Sequence, residues 1–435
     1  MSADSFDHRK LSNRILLAMG LGLAFGIALN VSVAEQEWVK SFLIDGLLTV
    51  VGEMFVRFLS MLVVPLVFVS LITGVGALSD PARLGRVGGK AVGLYMLTTG
   101  IAITLALTAA VVIEPGVGAS PSVTVEREIA AQPSFGQVLI EMVPRNPVAA
   151  MANGDMLPII VFAILIGLSI AMAGSAGERV GNFFNDFNVV VMRLVGFVML
   201  LAPYGVFALI TVLGATTGWD TFLGVLKYVV LVLVMLVFHA LVTYSILLKV
   251  LSGLSPRVFF SKMRGVLAFA FSTASSGATI PVTLKTVEQR LGADNKVASF
   301  TVPLGATINM DGTAIMQGIA AGFIAQYYAV DLSMTQYLMI VLMVIMASIG
   351  AAGVPGVGLV LLAGVLTSVG LPAEGIALIL GVDRVLDMTR TAVNVTGDAT
   401  VTCIVAKSEG ELDLDVFYAR DKDDVARKIP DQAAS

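Results

Sequence analysis

An all-α polytopic membrane protein is the fold this sequence predicts, and three observations predict it. Hydrophobic residues make up 57% of the 435, against 13% charged, whereas a soluble domain carries roughly 25% charged residues. The mean hydropathy is +0.91, and so few charges cannot cover a water-exposed surface around that much apolar mass. Apolar runs also recur at the length of a bilayer crossing, since a hydrocarbon core of about 30 Å asks for about 20 helical residues. Eight transmembrane helices plus two re-entrant helical hairpins, arranged as inverted repeats, account for the whole pattern.

Six of the helices fall in the first 250 residues, near Ile15–Val31, Phe58–Leu78, Ala91–Ile113, Met156–Met172, Val189–Leu213 and Val229–Leu248. The first follows Arg9, Lys10 and Arg14 and ends near Ser32 and Ala34, as a cleaved signal peptide would. It is longer than the apolar region of such a signal, so a retained helix is expected. With the N-terminus inside, the inner segments hold Arg9, Lys10, Arg14, Arg83, Arg86, Lys90, Arg179, Arg193, Lys249, Arg257, Lys262 and Arg264. The outer segments hold only Lys40, Arg57, Arg127 and Arg145. That bias of basic residues places the N-terminus in the cytoplasm.

From about residue 257 the apolar runs are interrupted at what should be membrane depth. Two short apolar arms flank Ser272-Thr273-Ala274-Ser275-Ser276-Gly277-Ala278-Thr279-Ile280-Pro281, and the design recurs around Ser348-Ile349-Gly350-Ala351-Ala352-Gly353-Val354-Pro355-Gly356-Val357-Gly358. The hairpins span about 257–291 and 333–371. Each precedes a helix with a polar insert: Asn309-Met310-Asp311-Gly312-Thr313 after the first, and Asp387 to Asp398 after the second. Irregular backbone at membrane depth is tolerated where it lines a cavity, and paired interruptions in two repeats mark a midplane binding site. Small-residue packing alone explains the Gly and Ser, but does not call for Pro281, Pro355 or the nearby acids.

At about 100° per residue, Asp383, Asp387, Arg390, Thr391, Asn394 and Asp398 share one stripe of the last apolar helix. Ionisable groups in a membrane helix cost several kcal/mol unless paired or hydrated, so the stripe faces a polar interior. A structural ion-pair network would explain Asp387 with Arg390 but leaves Asn394 and Asp398 without a partner in their own helix. Carboxylate, amide and hydroxyl oxygens are hard ligands suited to a small hard cation such as sodium. Asn309, Asp311, Asn394 and Asp398 would supply them. The fork of Arg390 suits a carboxylate and Asp387 an amine, which together describe an acidic amino acid.

Other classes fit poorly. A net charge of −4 offers no basic stripe for nucleic acid. Cys403 stands alone, and His8 and His239 leave little for histidine chemistry; His239 reads as a satisfied interior residue. An intramembrane protease needs a Ser–His pair or a Gly-x-Gly-Asp turn, and the run Val395-Thr396-Gly397-Asp398 lacks the first glycine. An enzyme is not expected. A passive channel has no use for a site that recognises both amine and carboxylate.

These residues resemble the glutamate transporters, the dicarboxylate/amino acid:cation symporters, over nearly the whole chain. The likeness rests on Asn309-Met310-Asp311-Gly312-Thr313, on Gly350-Ala351-Ala352-Gly353-Val354-Pro355-Gly356 and on Asp387-Met388-Thr389-Arg390-Thr391-Ala392-Val393-Asn394-Val395-Thr396-Gly397-Asp398. Met61-Leu62-Val63-Val64-Pro65 and Tyr95-Met96-Leu97-Thr98-Thr99 agree too. The resemblance implies a homotrimer in the bilayer of the bacterial inner membrane, with both termini cytoplasmic. Residues 1–90 and 114–225 would be mainly scaffold, 91–113 and 226–408 mainly an elevator-like transport domain, and 409–435 a cytoplasmic tail without a role.

The resemblance also implies a substrate site. Arg390 would take the side-chain carboxylate, Asp387 the amino group and Asn394 the α-carboxylate, with Thr313, Thr391 and Ser276 adding hydrogen bonds. The tip Gly353 to Gly358, with Val354 and Pro355, would be the extracellular gate. One sodium site would use Gly305, Asn309, Asn394 and Asp398, and a deeper one Tyr95, Thr98, Thr99, Asn309 and Asp311. A third would use main-chain oxygens of Thr307, Ser348, Ile349 and Ala351.

Departures from the family are equally specific. Archaeal members carry an arginine where this chain has Ala274, and animal members carry one where it has Met388. Arg384, at 100° on the same projection, could substitute by pairing with Asp387. Animal members have a glutamate, linked to proton and potassium coupling, at Gln317, so potassium countertransport is not expected. The rival reading is a proton-coupled glutamate or C4-dicarboxylate symporter, although Asp387 would repel a plain dicarboxylate.

Overall fold

The computed structural model describes residues 8–32, 36–77, 84–118, 140–216, 219–349, 356–380 and 382–419. Among them helix dominates and no strand occurs; one isolated antiparallel bridge joins Ala293 to Leu412. Helices satisfy their backbone groups internally, which a lipid environment demands. Four helical stretches, Val39–Gly76, Arg86–Ile113, Gly174–Leu200 and Leu223–Ser252, are long and apolar enough to cross a bilayer. Large apolar side chains such as Val112, Phe183, Val230, Val234 and Val237 face outward rather than into a core.

The first half comprises α1 (His8–Ser32), α2 (Thr49–Ala77), α3 (Gly89–Ile113), α4 (Pro147–Asn153), α5 (Met156–Met172), α6 (Gly174–Leu200) and α7 (Ala202–Thr216). The run expected over Val189–Leu213 is two helices, not one. Pro203 lacks an N–H and its ring clashes with the carbonyl four residues back, so the chain breaks at Leu201 and restarts at Ala202. α1 packs on α7, and α2 on α5, α6 and α7.

The second half begins with α8 (Trp219–Phe238), a single π-helical turn (His239–Thr243) and α9 (Tyr244–Ser252). Two pairs of helices follow. α10 (Pro256–Thr273) opens on a proline and stops at Ala274, whose φ of 49° is left-handed. Ser275 then caps α11 (Ser276–Gln289) by accepting the N–H of Ala278 at 3.2 Å. In the second pair a capping box of Ser333 and Gln336 starts α14 (Met334–Ser348), and α15 (Val357–Ser368) follows Gly356. Gly353, Val354, Pro355 and Ala351, expected at this tip, lie outside the described residues.

Between the pairs, α12 (Asn295–Ile308) and α13 (Asp311–Tyr327) are separated by Asn309 and Met310, which leave the helical conformation. After α16 (Ile376–Leu380) comes α17 (Asp383–Glu409), whose six striped residues are all buried. α17 packs against α9 to α13, and α3 packs on α13 and α14.

Past Lys407 the described chain packs back onto the protein. Asp294 N–H donates to Glu411 O at 2.9 Å and Asp413 N–H to Gly292 O at 2.8 Å, which docks α18 (Leu414–Tyr418) beside the base of α11. Phe417 is fully buried with Phe259, Met263 and Leu291. The nearly buried Lys262 donates to Arg290 O at 2.8 Å and Val416 O at 2.7 Å. Glu409 pairs with Arg86 and with Lys90 at the start of α3. The hydrogen bond from Arg86, then that from Lys90, holds the Glu409 carboxyl below its ordinary value.

Candidate substrate and cation site

Two buried polar clusters meet along α17. Arg390, 1% exposed, centres the first. Its Nη2 lies 2.9 Å from Asp387 Oδ1 and 3.1 Å from Asp383 Oδ1, while Arg384 Nη1 lies 3.4 Å from Asp387 Oδ2. The i, i+3 spacing on one helix produces the Asp387 contacts with both arginines. Nε and Nη1 of Arg390 have no hydrogen-bond partner among the described residues. Nη1 sits beside the start of α15, because a Cβ on Gly358 would fall 3.1 Å from it and 3.1 Å from Thr313 Cγ2. Gln317 Nε2 donates to Gly358 O at 3.1 Å, tying α13 to the same spot. Thr391 donates to Asp387 O at 2.9 Å, and Ser276 is buried at the first position of α11.

The second cluster surrounds Asp311, which is fully buried. Thr99 Oγ1 donates to its Oδ1 at 2.6 Å; Tyr244 OH donates to Oδ2 at 2.8 Å, and His239 Nε2 lies 3.1 Å from Oδ2. Next to it, Asn309 Nδ2 donates to Asn394 O at 2.7 Å and Asp398 Oδ1 at 2.9 Å, leaving Asn309 Oδ1 a buried acceptor without a donor. A buried carbonyl oxygen of that kind costs free energy unless something positive meets it. Gly312 N–H donates to Asn394 Oδ1 at 2.7 Å, and Asn394 Nδ2 has only the soft Met310 Sδ, at 3.3 Å.

Backbone forms much of the wall. A Cβ on Gly305 would fall 2.5 Å from Asp398 Oδ1 and 2.7 Å from Tyr95 OH, and one on Gly312 would fall 2.6 Å from Arg390 O. A Cβ on Gly397 would collide with Asn309 Nδ2 and Tyr244 OH. Only glycine allows α12, α13 and α17 to approach this closely.

Most residues named from the sequence therefore converge: Asp387, Arg390, Thr391, Thr313 and Gly358 around one cluster, and Thr99, Asn309, Asp311, Asn394, Asp398, Gly305 and Tyr95 around the other. Thr98 donates to Tyr95 O at 3.1 Å. Thr307 and Ser348 spend their hydroxyl protons on Leu304 O and Ile345 O in their own helices; Ile349 N–H donates to Met346 O at 3.3 Å. Three participants were not assigned from sequence: Asp383, Tyr244 and His239. His239 is not simply satisfied, because its Nε2 meets Asp311 while its buried Nδ1 has no partner.

The chain matches the sodium:dicarboxylate symporter family over residues 11–408. It belongs to that family. It is 38% identical over 415 residues to a proton/glutamate-aspartate symporter of Escherichia coli (strain K12), covering 93% of this chain and 94% of that one. A proton/sodium-glutamate symport protein of Bacillus subtilis (strain 168) is 35% identical over 407 residues, 91% of this chain and 94% of the relative. Excitatory amino acid transporter 3 of Oryctolagus cuniculus is 34% identical over 457 residues, 92% and 87% of the two chains. The family is one of membrane transporters, and this member is a multi-pass membrane protein whose relatives carry glutamate or aspartate with protons or sodium.

Proposed function

We propose that the protein is a secondary active symporter that brings L-aspartate or L-glutamate into the cell with sodium, by elevator-type alternating access. One observation carries the substrate reading: a fully buried guanidinium whose Nη2 is held by Asp383 and Asp387 keeps Nε and Nη1 without partners. Bare N–H donors on a buried guanidinium suit a carboxylate. Arg390 takes the substrate side chain, Asp387 its amine, and Asn394 its α-carboxylate in place of the weak Met310 contact. Arg384, already beside Asp387, stands in for the family's absent second arginine.

Sodium is co-transported cargo. The deep site uses Tyr95, Thr98, Thr99, Asn309 and Asp311, where the bare Asn309 Oδ1 supports a cation; the second uses Gly305, Asn309, Asn394 and Asp398. The third, from Thr307, Ser348, Ile349 and Ala351, lies under the second tip, and residues 353–358 close over the substrate. In this reading α10–α11 and α14–α15 are the re-entrant hairpins. Two scaffold segments, 1–90 and 114–225, hold a homotrimer in the bacterial inner membrane, both termini face the cytoplasm, and no chemistry is catalysed. Gln317 cannot titrate, so no potassium is exchanged.

Proton coupling is the second reading, favoured by the name of the Escherichia coli relative. Uptake of labelled L-aspartate and L-glutamate into proteoliposomes, under a sodium gradient and separately under a proton gradient, decides between them. Sodium-dependent uptake is expected. Uptake driven by protons alone would overturn the sodium assignment, and uptake of neither amino acid would overturn the substrate.

A further inference from the structure

The Asp311 carboxylate meets donors from two separate places: Thr99 on Oδ1, and His239 with Tyr244 on Oδ2. We propose that the π-helical turn His239–Thr243 is a clamp for the cation site, with His239 and Tyr244 as positioning residues that hold Oδ2 of Asp311 and so present Oδ1 to the ion. This rests on the reading of Asp311 as a cation ligand.

Geometry is the first support. Residues five apart lie roughly 140° apart around an α-helix, so His239 and Tyr244 could not face one carboxylate from a regular helix. Here Tyr244 N–H donates to His239 O, an i to i+5 bond that widens one turn. The extra residue stacks the two side chains on one face, with ring centroids 4.6 Å apart and edge to face. Single π turns of this kind are frequent at functional sites.

Burial is the second. His239 and Tyr244 are 0% and 1% exposed. An imidazole that served packing alone would be replaced without loss by an apolar side chain. Among the described residues His239 instead keeps Nδ1 buried without a hydrogen-bond partner, and its side chain engages Asp311.

The arrangement on the ligand side is the third. With two donors on Oδ2, the carboxylate offers one oxygen to a ligand, next to Thr99 Oγ1 and the bare Asn309 Oδ1. A single charged oxygen among neutral ones suits a monovalent ion. Rotation of the carboxylate would withdraw it, and rotation is what the clamp prevents.

The test uses full-length protein in proteoliposomes, with sodium chloride as the probe and labelled L-aspartate uptake as the signal. His239→Leu and Tyr244→Phe each remove one hydrogen bond to a charged acceptor. The half-saturating sodium concentration should rise about tenfold in each. The aspartate KM at saturating sodium should stay within about twofold. His239→Gln, whose terminal amide reaches toward the Nε2 position, should recover most of the loss. Sodium dependence unchanged in both variants, or sodium and aspartate constants moving together without rescue by glutamine, overturns the clamp. Asp311→Asn separates the two readings. If it abolishes the sodium response while His239→Leu and Tyr244→Phe do not alter it, the clamp alone fails; if it leaves the response intact, or the unaltered protein shows none, the cation site falls as well.

Discussion

Replacing Arg390 by glutamine tests the substrate reading most directly. The guanidinium is buried, its Nη2 is occupied by Asp387 and Asp383, and Nε and Nη1 remain for a ligand. A carboxylate at Nη1, the atom beside Gly358, would make a charge-assisted hydrogen bond worth about 1.5–3 kcal/mol. Losing it, together with the buried positive charge that attracts the carboxylate, removes about 2–3 kcal/mol, a rise in the aspartate KM of roughly 30–150-fold. The preference for L-aspartate over L-alanine should fall by a similar factor, because alanine has no side-chain carboxylate to lose. Arg390→Lys, which keeps the charge as a point rather than a fork, should be intermediate. Competition uptake in proteoliposomes gives both numbers, and thermal unfolding in detergent checks that the variants fold. An aspartate KM within about threefold of the unaltered protein in Arg390→Gln would refute the assignment.

Three further outcomes follow from other contacts. Gln317→Glu puts a titratable group where an amide donates to Gly358 O; uptake should stay near normal in acid and fall about tenfold as pH rises and the proton leaves, while the unaltered protein changes less across the same pH series. Phe417→Ala opens a cavity in the docked C-terminal segment and should cost about 3–5 kcal/mol, seen as a lower melting temperature. Glu409 has its carboxyl held low by Arg86 and Lys90, so its contribution is present above the ordinary carboxylate value and is lost as pH falls through the depressed one. Glu409→Gln should therefore lower the melting temperature at pH 7, and the difference should shrink as pH falls through the depressed value.

The stripe on α17 was legible because a 3.6-residue period sorts six polar residues in an apolar helix onto one side. The break between α10 and α11 was legible too, since Ser and Gly interrupt a run that would otherwise be continuous. Pro203 marked the break between α6 and α7 in plain sight, but an apolar run on both sides hid it. The π turn leaves no mark in composition, and the hydrogen bonds from His239 and Tyr244 to Asp311 join residues 72 and 67 apart, which no local pattern encodes. Leu412, Leu414, Val416 and Phe417, apolar between charges, were the hint that the chain past Lys407 would dock.

The glycine walls at Gly305, Gly312 and Gly397 bear on how such a protein can change over generations. A pocket bounded by side chains drifts by exchanging them one at a time. Here the nearest surface is main chain, and even one methyl group would collide with Asp398, Arg390 or Asn309. Those positions are closed to gradual substitution. Lineages that inherited this architecture can acquire new ion or substrate preferences at the side chains that line the rest of the site, such as Asp387 and Arg390, while the glycine wall itself stays fixed.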